Sequence, residues 1–176
     1  MAAGYLTAYA LLAVARPEFT SSQTNLFLWL GLVIAFSPDI DSFFIFIKNK
    51  AFTFNSEKYN HRKLITHSPF LWLTAGLAVY FSASDPFIKY VGLLIWLATW
   101  SHFLLDSLQY GIMWFWPFSS KVYAFKDREV KLEVNKKDFF SYWIGFLNAY
   151  WQKAKLTFFT EIVLIVFALV VVILRR

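Results

Sequence analysis

A chain of 176 residues that is 59% hydrophobic, 22% aromatic and only 16% charged, with no cysteine, lies far from soluble domains at about 45–50% apolar and about 25% charged. Disorder, a disulfide scaffold, a collagen-like chain and any cysteine-held zinc or iron–sulfur site are excluded. A net charge of +6 would suit nucleic acid, but 21 Phe, 9 Tyr and 8 Trp call for an apolar solvent, so the expected partner is membrane lipid and nucleic acid is not expected.

In chain order, Met1 to Ala15 is apolar and short. Ala13-Val14-Ala15 resembles a signal-peptidase site, but no Lys/Arg n-region precedes it, so a retained first span is expected. Long uncharged stretches then separate Glu18 from Asp39, Lys63 from Asp85 and Lys89 from Asp106. They predict spans near 26–46, 69–84 and 88–106, since a span needs about 20 mostly apolar residues. Residues 120–138 are expected to form an extramembrane loop in which Val122 to Val134 make a short hairpin, because apolar and charged residues alternate there. Residues 139–152 carry aromatics on most faces and read as a helix at the membrane interface, where rings and polar tips are both satisfied. Ile162 to Leu174 has no polar side chain and closes a last span at 156–174. The expected fold is therefore all-α: one integral membrane domain over 1–176, a helical bundle of about five spans whose second is broken near Pro38.

Of the 17 Lys and Arg, all but Arg16, Lys89, Arg175 and Arg176 fall on the side of residue 1 in this topology. The positive-inside rule then puts the N-terminus and that face in the cytoplasm, in the plasma (inner) membrane of a prokaryote.

Polar residues at membrane depth are costly and mark function. Ser37-Pro38-Asp39-Ile40-Asp41-Ser42 interrupts an apolar run. A break at Pro38 would turn both carboxylates inward as hard ligands for a divalent cation, although Ser and Asp also start ordinary helices. His61-Arg62-Lys63 and Thr66-His67-Ser68 precede the third span, where imidazoles suit a metal and Arg62 with Lys63 an anionic substrate. Alone, this run reads first as a basic loop attracted to headgroups. His102 and Asp106 share one helical face at i and i+4, as two ligands or as a plain hydrogen-bonded pair. Gln109-Tyr110-Gly111 through Ser119 offers no ligand, and its aromatics are expected to pack. Convergence changes the weighing: the antiparallel path brings all three histidines and three aspartates to one membrane face. Together they suit a mononuclear or dinuclear site for zinc, manganese or iron.

With Gly111 and Trp116-Pro117-Phe118-Ser119 added, this set resembles the YdjM-like family of predicted membrane-bound metal-dependent hydrolases, over residues 37–119. Lys63 departs from the glycine usual there. The resemblance implies a distant relationship to the zinc-dependent phospholipase C and fungal single-strand nuclease group, all-helical phosphodiesterases with clustered zinc ions. It implies Asp39, Asp41, His61, His67, His102 and Asp106 as ligands or neighbours of ligands to one to three divalent ions, zinc first.

The expected function is a membrane-embedded hydrolase of a phosphoester carried by a lipid. Asp39 or Asp41 would act as general base, Arg62 and Lys63 would hold the phosphate, and Thr66 and Ser68 would orient ligands. The alternative is a non-catalytic membrane protein whose His/Asp cluster is a structural metal site or a proton-relay core. A carrier is disfavoured, because no internal repeat matches the broken span.

Overall fold

The computed structural model describes residues 1–41, 61–126 and 139–175. Among them lie six α-helices: α1 (Ala2–Ala15), α2 (Ser21–Phe36), α3 (Pro69–Ser82), α4 (Pro86–Ser107), α5 (Phe139–Lys153) and α6 (Lys155–Leu174). Short 3-10 turns occupy Ser37–Asp39, His61–Lys63 and Ile65–His67. No strand forms among the described residues, and Tyr123 makes an isolated antiparallel bridge to Ile112. Residues 127–134 of the expected hairpin lie outside the described residues.

Local chemistry sets the helix starts. Thr20 and Gln23 form a reciprocal capping box that opens α2, satisfying two otherwise orphaned backbone donors. The helix therefore begins at Ser21, ahead of the expected 26, because a polar cap rather than hydropathy decides the first turn. Asp85 caps α4 through Ile88 N at 3.0 Å, with Pro86 in the first turn. At Ser37–Asp39 the chain tightens into a 3-10 turn around Pro38, which is the expected break in the second span. Residues 42–46 of that span lie outside the described residues.

The helices pack as two antiparallel pairs joined through α4. A Cβ added at Gly4 would collide with the Gly31 carbonyl and Ala35, so α1 and α2 meet backbone to backbone. A Cβ at Gly92 would stand 2.7 Å from both the Gly76 carbonyl oxygen and Tyr80 N, so α3 and α4 meet the same way. Small residues at crossings let helices gain van der Waals contact where lipid removes the hydrophobic drive between them. Tyr5, Phe27, Leu28, Leu94 and Ala98 form the main core, which α6 joins through Ala168 and Val171. Phe19 makes edge contacts with Phe27, Phe87 and Tyr90 at 5.1–5.7 Å.

Two helices, α4 and α6, are long and apolar enough to cross a membrane. The apolar α1 and α3, with 14 residues each, reach about 21 Å at about 1.5 Å per residue, short of the hydrocarbon thickness of about 30 Å. Most of α6 is exposed: Val163, Val166, Phe167, Leu169 and Ile173 each leave more than half their surface uncovered. A surface of this kind requires an apolar solvent. The helix expected at 139–152 is α5, and its Tyr150 packs with Tyr110 and Ala154 in a second small core.

Candidate metal centre

The site lies where the turn after α2, the turns before α3 and the C-terminal half of α4 meet. Pro38 ends the regular helix, so Asp39 and Asp41 leave the α2 surface and both reach His67. Asp39 Oδ1 lies 3.3 Å from His67 Nε2 and 3.7 Å from His102 Nε2. One ligand atom from each of Asp39, His67 and His102 falls within 4.8 Å of the other two. Ligand bonds of about 2.0–2.2 Å to one zinc call for donors roughly 3.3–3.6 Å apart, so the two contacts to Asp39 already lie near that spacing.

The donors also pass a chemical test. His102 Nε2 is buried and has no hydrogen-bond partner, a costly state that a cation would relieve. His67 is fully buried, and its Nδ1 lies 3.1 Å from Asp41 Oδ2, which also accepts a hydrogen bond from Thr66 Oγ1. A carboxylate on the far nitrogen fixes a metal-facing imidazole in orientation and tautomer. Trp72 Nε1 donates to the Thr66 carbonyl at 2.7 Å and pins the same turn. Without a metal, burial works against the charged form of His67, but its bonds to Asp39 and Asp41 outweigh burial and push its pKa up to about 9.

The structure treats Asp106 differently from Asp39. Arg62 grips it with two bonds, Nε to Oδ2 at 2.9 Å and Nη2 to Oδ1 at 3.4 Å, the bidentate geometry that guanidinium favours. Asp106 Oδ2 remains 3.8 Å from His102 Nε2. Asp106 thus links the guanidinium to the imidazole beside the three-residue group. Arg62 also lies 4.1 Å over the Tyr110 ring, a cation–π contact. Burial raises the Tyr110 pKa well above its ordinary value, which keeps a neutral phenol beneath the cation.

Of the other expected site residues, Lys63 is exposed at the rim, and the side chain of His61 lies outside the described residues. Ser68 Oγ is buried at the start of α3 with no hydrogen bond among the described residues. Tyr110, expected only to pack, and Trp72, with no expected role, both support the site. Tyr110 follows Asp106 by one helical turn, but nothing local signals that Arg62 crosses to it. Gln109 has a structural task, accepting bonds from Thr157 N at 3.0 Å and Thr157 Oγ1 at 3.3 Å to tie the α6 start to the α4 end.

A family model described as YdjM inner membrane protein matches residues 1–176. The chain belongs to this family. Membership agrees with the exposed apolar surface of α6 and makes the chain a membrane protein. No curated protein and no solved structure matches it.

Proposed function

We propose that this YdjM-family protein is a metal-dependent hydrolase that cleaves a phosphoester at the membrane face. The observation that carries the reading is the convergence of Asp39, His67 and His102 within 4.8 Å. Among the described residues three protein ligands converge, the usual number where a metal keeps a position for substrate.

Asp39, His67 and His102 would hold a divalent ion, zinc first among candidates for this mixed nitrogen and oxygen set. When bound, such an ion supplies Lewis acidity that polarises a phosphoryl oxygen and makes water more acidic. Asp41 and Thr66 hold the His67 imidazole so that Nε2 faces the group. Asp39 has the most exposed of the three carboxylates, at 31% against 8% for Asp41 and 13% for Asp106, and the oxygen it does not lend to the ion would take a proton from water. Arg62, fixed by Asp106 and Tyr110, contributes positive charge beside the site to offset charge developing on phosphate. Lys63 adds a cation from the solvent side. In the net reaction water cleaves one P–O bond, its oxygen going to phosphorus and a proton to the departing alkoxide.

Elemental analysis of detergent-purified protein tests the reading, with wild type beside Asp39→Ala, His67→Ala and His102→Ala. One or more equivalents of metal, lost in the variants together with hydrolysis of a generic phosphodiester, is the expected result. A metal without turnover would leave a structural site. No metal after repletion, in folded protein, would overturn the proposal. Asp41→Asn should retain the metal with about 10–100-fold weaker affinity, as removal of an orienting partner usually does.

A further inference from the structure

A second site lies on the opposite face of α4. Phe70 and Leu73 of α3, Trp100 and Leu104 of α4, and Trp114 and Tyr123 of the following loop line an open groove of about 510 Å³, within the size range of ligand pockets. Trp100 and Leu104 are one turn apart, and His102 lies two residues from each, which points it to the other side of the helix. The groove and the candidate metal centre are therefore separated by α4.

The groove wall is hydrocarbon by construction. Trp100 Nε1 donates to the Pro69 carbonyl at 3.1 Å, and Trp114 Nε1 donates to Ser107 Oγ at 2.8 Å. With both indole N–H groups satisfied inside the protein, only ring surface remains for an occupant. The two indoles meet edge to face at 5.5 Å, and Phe115 meets Tyr123 at 5.2 Å, so the wall is preformed.

Among the described residues, cations stand at the loop end of the groove. Trp114 and Tyr123 stand on the loop beyond the end of α4, whereas Leu73 and Trp100 lie one to two turns inside the helix pair. At the loop end, Lys121 Nζ sits 5.5 Å over the Tyr123 ring, and exposed Lys126 follows the lining residue Phe125. Cations at the mouth and hydrocarbon running along a membrane bundle match one molecule type. We infer that this groove binds an anionic phospholipid, one acyl chain lying against Leu73, Trp100 and Leu104 and the phosphate meeting Lys121 and Lys126. The inference stands independently of the proposed reaction, because none of Asp39, His67 and His102 lines the groove.

Native mass spectrometry of the full chain in detergent, titrated with dioleoyl phosphatidylglycerol or dioleoyl phosphatidylcholine, tests it. Wild type should retain phosphatidylglycerol at least about threefold better than phosphatidylcholine. Lys121→Ala/Lys126→Ala, a surface change that leaves the fold intact, should abolish that preference while residual acyl binding persists. Leu104→Trp, which fills the groove, should reduce retention of both lipids at least about threefold with unchanged helical circular dichroism. Equal retention of the two lipids by wild type, or an unaltered preference in the double lysine variant, overturns the proposal. So does undiminished binding by a folded Leu104→Trp protein. Because neither variant touches Asp39, His67 or His102, metal content should stay at the wild-type level throughout.

Discussion

Arg62 and Asp106 form the most consequential single contact around the metal centre, because each is largely buried and each holds the other's charge. Removing one partner of such a pair leaves an uncompensated charge in a poor solvent, at a cost of about 3–5 kcal/mol. Arg62→Ala should therefore lower stability in detergent by about 3 kcal/mol, and adding Asp106→Asn should restore much of it, measured by chemical denaturation. At His67 the effect is pH-dependent. Its folded pKa of about 9 lies above the ordinary value of 6.5. In metal-free protein this stabilisation is full below about pH 6.5 and is lost as pH rises through about 9. The melting temperature of chelator-treated wild type should fall across that window, and His67→Gln should flatten the fall. A wild-type curve parallel to that of the variant would remove His67 from the account.

At the scale of elements, glycine decides how closely the two helix pairs approach. Gly92 and Gly76 allow carbonyl-to-backbone contact between α3 and α4, and these helices carry the chain out of His67 and into His102. Gly92→Val forces the pair apart, because its Cβ would start 2.7 Å from two backbone atoms of α3. Overpacking of this kind costs about 1–3 kcal/mol. The variant should melt several degrees lower, and its metal affinity should fall because His67 and His102 would separate. Gly111 constrains the loop in another way. Its φ of +87° is disfavoured for other residues, and a Cβ there would lie 2.6 Å from Val122 Cγ1. That close approach allows the reciprocal bonds between Ile112 and Tyr123, at 2.9 and 3.0 Å, which set one wall of the lipid groove. The alternation over 122–134 points to a local hairpin, most of which lies outside the described residues, and the described bridge pairs Tyr123 with Ile112, ahead of the loop. Pairing in β structure depends on which backbone edge is near, which strand periodicity alone does not encode.

For the whole molecule, the charge distribution predicts which side the metal centre faces. Lys and Arg concentrate on the loops that follow α2 and α4, so those loops and the site should be cytoplasmic. The chain contains no cysteine, so single substitutions report topology without background. Ser119→Cys should react with a membrane-impermeant maleimide only in opened vesicles or from the cytoplasmic face, whereas Ser84→Cys should react from outside intact cells. The reverse pattern would invert the topology and place any phosphoester chemistry on the outer side.

An all-helical membrane protein was legible from composition and uncharged run length, because transfer out of water acts on each residue wherever its neighbours lie. The break at Pro38 and the His102–Asp106 helix face were equally legible, since ring closure and the 3.6-residue period are local. The end of α2, the segment upstream of α3 and the end of α4 could be brought to the same face by antiparallel threading alone, which is why all three histidines and Asp39, Asp41 and Asp106 stood out together. The division of labour among the carboxylates was not legible. Asp39 joins two imidazoles, Asp41 anchors the far side of one, and Asp106 is taken by Arg62. Those choices are made by distances of a few ångströms between segments far apart in sequence, where Coulomb and hydrogen-bond energies vary steeply. The apolar groove is of the same kind. Its aromatics could be counted from the sequence, but only packing decided that their polar edges turn inward and leave a hydrocarbon wall beside Lys121.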